Sequence, residues 1–301
     1  MRTKPCILAA GLAVGLGINS GVLAEPAWFE TAQGAQANAA AGQDMGDILV
    51  TGIIEATGNG AADIAGGKSP VQARLMAKRA AMVDAQRLLT ETINGIRLTG
   101  GTTMENYQVV NDTVATRVKG LLRGAFVMDE KIEAFEDSFM ATVRLGVCIS
   151  GQTAQCYNKA TLSSVLQSTI SHSPPENRYK PRDSHNIKAA DTAYSGLVID
   201  ASDAALIPSL DARLKTRDGR ELYGPSHFSG GKGEWLHWAR NVEKAQQMKA
   251  VVGEKPLVVK AASVNDDYEV IVNDDDAVKI FSANLGSDDF LGQGKVVVVV
   301  K

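Results

Sequence analysis

Apolar residues recur along this chain with two different periods, and the changes of period mark out its elements. Val71, Leu75, Met82, Ala85, Leu89 and Ile93 follow one another at spacings of three, four and seven, which keeps them on one face of a helix. Arg74, Lys78, Asp84, Arg87 and Glu91 fall mostly elsewhere, so the helix is expected to cover a sheet with one side. Ser69 is suited to cap its amino terminus, with Pro70 at the first helical position and Gly95 as the stop. Ahead of the helix, Asp47 to Thr57 is apolar and β-branched enough to predict a strand, and residues 58–70 read as a turn-rich link. Beyond it, residues 96–103 and 106–110 suggest strands, and a short helix is expected from Asn111 or Asp112. Residues 125–135 and 138–149 then read as two strands joined at Glu136-Asp137, the second alternating Phe139, Ala141, Val143 and Leu145 with polar neighbours. A third helix is expected from Asn158 to Thr169.

Residues 171–192 carry three prolines, many charges and almost no branched apolar side chains, the composition of a linker. After it, SGLVIDA reads as a buried strand, and Arg217-Asp218-Gly219 is a hairpin turn signal. The pattern then predicts a helix from Glu234 to Val252, strands in PLVVKAASV and DYEVIVN, and a helix from Asp275 to Asn284. The terminal KVVVVVK is apolar on both faces and is expected to be central in its sheet. The fold class predicted is α+β, two small helix-on-sheet domains at 47–170 and 193–301.

The amino terminus sets the expected compartment. Arg2 and Lys4 precede an apolar, glycine-interrupted run from Ile7 to Leu23, and Val22-Leu23-Ala24 offers the residues a signal peptidase reads. Residues 1–24 are therefore read as a signal peptide, followed by an Ala/Gly/Gln-rich leader at 25–46. Cys6 precedes the apolar run, so no acylated cysteine and no direct membrane anchor are expected. Cleavage would leave 29 Lys+Arg against 34 Asp+Glu, a net charge of about −5, which points away from nucleic acid. It would also leave Cys148 and Cys156 as the only cysteines, in an oxidising compartment, and a disulfide between them is predicted.

Candidate chemistry is sparse. Ser229-Gly230-Gly231-Lys232 has the S-x-x-K spacing of serine acyl-enzymes, yet S-D-N and K-T-G are absent and paired glycines suit a loop. Gly233 stands where a phosphate-binding loop needs Ser or Thr, and Gly58-x-Gly60-x-x-Asp63 lacks its third glycine. His172, His185, His227 and His237 show no metal-ligand spacing, and His237 is expected half-buried on a helix. Asp274, Asp275 and Asp276 suit a helix amino terminus better than a calcium loop. Trp235 and Trp238 are candidate interface anchors, with packing in the core as the competing reading. No catalytic, cofactor or metal residue is assigned, and an enzyme is not expected.

The helix ARLMAKRAAMVDAQRLL, the step Asn94-Gly95-Ile96-Arg97 and the run from Arg117 to Ala125 resemble the FlgP-type family of small outer-membrane lipoproteins, and the amino-terminal domain of the flagellar assembly protein FlgT, over about residues 47–150. The resemblance implies a long helix on a curved sheet and an architectural role in periplasmic or outer-membrane rings, flagellar ones included. The expected function is that of a non-enzymatic, exported envelope assembly protein, periplasmic or secreted. Its expected partners are further copies of itself or envelope and flagellar ring proteins, through strand edges or other surface contacts. The alternative is a periplasmic hydrolase or ligand-binding protein using a cleft between the domains near residues 224–238.

Overall fold

The computed structural model describes residues 43–64, 66, 68–99, 101–151, 153–167, 175, 177–181, 188–229 and 234–301. The expected signal peptide, most of the leader, part of the linker with His172 and His185, and Lys232 with its flanking glycines lie outside the described residues. Among the described residues no helix is long and apolar enough to cross a membrane.

The first half contains α1 (Met45–Thr51), β1 (Ile53–Asp63), α2 (Pro70–Gly95), α3 (Met104–Val110), α4 (Asp112–Arg123), β2 (Phe126–Ala134), β3 (Ser138–Cys148) and α5 (Leu162–Gln167). Its strands form an antiparallel sheet in the order β1-β3-β2. The turn at Glu136-Asp137 is where the sequence placed it, closed by the Phe135 amide donating to the Ser138 carbonyl at 2.8 Å. Helix α2 starts at a capping box: the Ser69 hydroxyl accepts from the Gln72 amide at 3.2 Å, and the Gln72 side chain accepts from the Ser69 amide at 3.0 Å.

The buried face of α2 differs from the predicted one. At its amino-terminal half the side facing the sheet is a line of alanines, Ala73, Ala77, Ala81 and Ala85, all fully buried. A Cβ on Gly58 would stand 2.2 Å from the Ala85 nitrogen and 2.3 Å from the Ala81 oxygen, and one on Gly60 would stand 2.4 Å from the Ala77 oxygen. Residues 58–63 are thus not a link: β1 runs on to Asp63, and its glycines let the helix backbone lie directly on the strand. The large apolar stripe is buried only at its carboxy-terminal half. Exposure falls along it from 67% at Val71 and 53% at Leu75, through half-buried Met82, to fully buried Leu89 and Ile93.

Other corrections have local causes. Residues 45–51 are helical, ending at Gly52 in the left-handed region (φ 70°), and Ile48 and Leu49 are buried by tertiary packing despite their strand-like sequence. Residues 104–110 form a helix capped by Thr103; ahead of it Arg97 and Thr103 form a bridge and the Leu98 amide donates to the Thr102 carbonyl, where strands were expected. The third helix begins at Leu162 rather than Asn158, after the loop that the Cys148–Cys156 disulfide closes.

In the second half, β4 (Leu197–Asp200), β5 (Leu214–Thr216), β6 (Glu221–Tyr223), β7 (His237–Ala239), β8 (Leu257–Lys260), β9 (Ser263–Val264), β10 (Val270–Val272) and β11 (Val296–Val299) make two sheets, not the single one expected. The β5-β6 hairpin turns at Gly219, with φ 79°. Strand β11 lies between β7 and β4 in a fully parallel sheet, and alternate valines are buried on opposite faces. Helix α8 (Asp274–Leu285) begins with the three aspartates. The predicted helix from Glu234 to Val252 is instead β7 followed by α6 (Val242–Gln247) and α7 (Lys249–Val252). Residues 235–239 are all buried, which suits a parallel strand covered on both faces better than an amphipathic helix, although β7 stands at the edge of its sheet. The Asn241 side chain then caps α6 on the Lys244 amide at 2.8 Å.

The chain is therefore α+β in two halves, and one continuous apolar cluster runs from the first sheet into both sheets of the second half.

Candidate functional site

Three places carry features beyond packing, and the first is the seam between the halves. Trp235 and Trp238 lie here, buried against Leu49, Ile149 and Leu166 of the first half, so they anchor a contact within the chain. The space left to a water-sized sphere between them is about 40 Å³, room for a few waters at most. Polar ties close the seam. Arg240 pairs with Asp44 at 2.6 Å, pairs with Asp47, and donates to the Lys301 carbonyl. The Gly151 amide donates to Glu234 Oε1 at 2.8 Å, and the Leu210 and Asp211 amides donate to the Arg97 and Leu98 carbonyls. His237 lies in β7 with Nδ1 3.8 Å from Glu234 Oε2, and burial holds its pKa down to about 4. The disulfide stands beside the seam on the outer face of the first sheet, packed with Ile53, Phe126 and Met128.

The second place is a polar cluster in the β5-β6 hairpin. Arg213 forks onto Asp211 at 3.0 and 3.1 Å and reaches Glu221 Oε2 at 2.9 Å. Burial opposes the Arg213 charge, but these two carboxylates outweigh it and raise its pKa. Glu221 Oε1 faces His227 Nδ1 at 3.7 Å, too long for a hydrogen bond, and neither atom has another partner. Gly224 allows this carboxylate to tuck in, since a Cβ there would lie 2.5 Å from Glu221 Oε1. His227 Nε2 accepts from Arg178 Nε at 2.9 Å, which puts the proton of a neutral ring on Nδ1. Burial, then the Arg178 charge, holds the His227 pKa down to about 4. A pocket of about 340 Å³ opens beside it, lined by Arg178, Lys180, His227, Asn284 and Asp289 among others. The ring is neutral and oriented, but its basic nitrogen is engaged by a guanidinium, not by a hydroxyl or thiol. Ser229, the sequence's acyl-enzyme candidate, donates its hydroxyl to the Gly292 carbonyl at 3.1 Å.

The third place is the far end of the first sheet, away from the seam. Helix α2 lies mainly over β1 and β3, and its side toward β2 is the exposed half of the apolar stripe. Lys78, seven residues after Val71 and hence on the same side, reaches Glu130 of β2 at 2.7 Å. Phe135 at the hairpin tip is 56% exposed beside this helix end. The strand edges are guarded: the outward amides of Glu55 and Asn59 on β1 donate to the side chains of Gln43 and Asp84, and β2 carries Asp129, Glu130, Lys131 and Glu133. What this end offers is a side-chain surface.

Sequence reasoning named His227 only as a histidine without ligand spacing, and did not single out Asp211, Arg213 or Glu221. Asp211 and Arg213 two apart, with Glu221 across a predictable hairpin turn, was the readable signal. The exposed end was hidden because the whole apolar stripe was assigned to the core.

Residues 196–301 match the family model described as Treponema pallidum Tp0624, second domain, a likeness that spans the second half only. No curated protein matches the chain.

Proposed function

We propose that this chain is a non-enzymatic, exported protein of the bacterial envelope that works by assembly, using the far end of its first half as the contact surface. The observation that carries the reading is the exposure of Val71 and Leu75 on α2 and of Phe135 at the hairpin tip, all at that end. Large apolar side chains gathered on one surface mark association sites in soluble proteins. The disulfide supports export, because such bonds persist in oxidising compartments. The resemblance of residues 47–150 to outer-membrane ring proteins supports an envelope role, with a flagellar ring as its most specific form. The tied seam supports an architectural part, since it would let two halves transmit load as one body.

Expression in a bacterial host from the full chain tests this reading. The account expects periplasmic recovery of a chain starting near Glu25, in a native species larger than a monomer. Cytoplasmic recovery with both thiols reactive would overturn export, and a monomer in every extract would overturn assembly.

A second reading follows from the pocket beside His227, whose mixed basic and acidic lining suits a small polar ligand. It places the expected ligand site beside His227, in the second half. A thermal-shift screen of small carboxylates and amines with His227→Ala as control tests it.

A further inference from the structure

We infer that the far end of the first half is a two-fold contact with a second copy of this chain, in which α2 of each copy lies against the β2-β3 hairpin of the other. The inference rests on the assembly reading above and names its partner.

Charge selects the occupant. From Ile64 to Val83 the chain carries Lys68, Arg74, Lys78 and Arg79 and no acid. From Asp129 to Asp137 it carries five acids and one base, Lys131. Two ion pairs use part of this charge internally: Lys78 with Glu130 at 2.7 Å, and Lys131 with Glu133 at 2.8 Å. Among the described residues, Lys68, Arg74 and Arg79 on one side and Asp129, Glu136 and Asp137 on the other have no ion-pair partner. The Lys78–Glu130 pair shows that the basic and acidic sides adjoin. Pairing of Asp63 with Ser138, and the seat of Gly60 under Ala77, put the hairpin at the amino-terminal end of α2.

A surface whose basic and acidic sides adjoin, with exposed apolar side chains next to them, is complementary to itself after a half-turn. Each copy's Arg74 and Arg79 then meet the other's Glu136 and Asp137, while Val71, Leu75 and Phe135 fill the centre. Other occupants fit less well. Helix against helix would bring like charges together, and an anionic lipid surface would be repelled by the hairpin. Strand addition is opposed at both edges.

Sedimentation velocity of residues 25–301 tests this with four proteins: wild type, Arg74→Glu with Arg79→Glu, Glu136→Lys with Asp137→Lys, and the fourfold combination. All four positions are exposed, so folding should survive. Each double reversal should weaken the dimer by roughly tenfold or more, and the combination should restore it to within about threefold of wild type. A wild-type assembly indifferent to either reversal, or not restored by the combination, would overturn this contact and leave the assembly reading standing. A wild type that is monomeric at every concentration would overturn both.

Discussion

Gly58→Ala places a methyl group where the backbone of α2 already lies. The new Cβ would stand 2.2 Å from the Ala85 nitrogen and 2.3 Å from the Ala81 oxygen, whereas ordinary contact begins near 3.4 Å. The helix must therefore withdraw by roughly 1 Å, a gap that forfeits about a quarter to a half of each dispersion contact it separates. Four fully buried alanines face the strand along this line, and at about 0.8 kcal/mol per buried methyl their gross contribution is about 3 kcal/mol. Losing a quarter to a half of that, with about 1–3 kcal/mol of overpacking strain, gives a destabilisation of about 2–4.5 kcal/mol. The usual effect has the opposite sign: Gly to Ala without a clash stabilises by about 0.4–1 kcal/mol through the unfolded chain. Urea unfolding followed by circular dichroism, with Thr57→Ala on the exposed face as control, measures the difference. An unchanged or raised midpoint for Gly58→Ala would refute the claim that glycine is there for helix contact.

Replacing Cys148 and Cys156 together by Ala should lower stability by about 2–3 kcal/mol under the chain-entropy model, and a reductant should bring wild type to the same urea midpoint. His237 is neutral in the fold, with its pKa held near 4 against 6.5 unfolded, so the unfolded chain takes up its proton first as pH falls. Its contribution is therefore fully present above about pH 6.5 and is lost as pH drops toward 4, by up to about 3 kcal/mol; His237→Gln should flatten the pH dependence of the urea midpoint across that window. Arg240→Ala should cost about 1 kcal/mol and speed hydrogen exchange at Ile48 and Leu49 selectively, since its pairs with Asp44 and Asp47 hold α1 to the second half. Uniform exchange across the chain would show that the tie is not local.

The sequence announced its boundaries better than its faces. Ser69 and Pro70 open α2 because capping is local chemistry, and the turns at Glu136-Asp137 and Gly219 are local for the same reason; Gly95 is the helix's last residue, and the cap itself is Ile96. The position of β11 was readable because a strand of consecutive valines has no polar face to give to solvent. The face of α2 was not readable, because large apolar residues signal burial in general, whereas contact at backbone distance selects small ones. Trp235 to Ala239 looked helical because tryptophans three apart satisfy a helix as well as a strand buried on both faces. The cluster of Asp211, Arg213, Glu221 and His227 depends on a turn between the hairpin and a 3₁₀ segment (Pro225–His227), a tertiary fact that spacing does not contain.

Light scattering of residues 25–301 from about 1 μM to 1 mM, the range where modest protein contacts titrate, tests the assembly claim most directly, with Leu75→Glu beside wild type. The account predicts a mass rising from one chain to two in wild type and staying at one chain in Leu75→Glu. One chain mass at every wild-type concentration, or a rise that Leu75→Glu leaves unchanged, would contradict it.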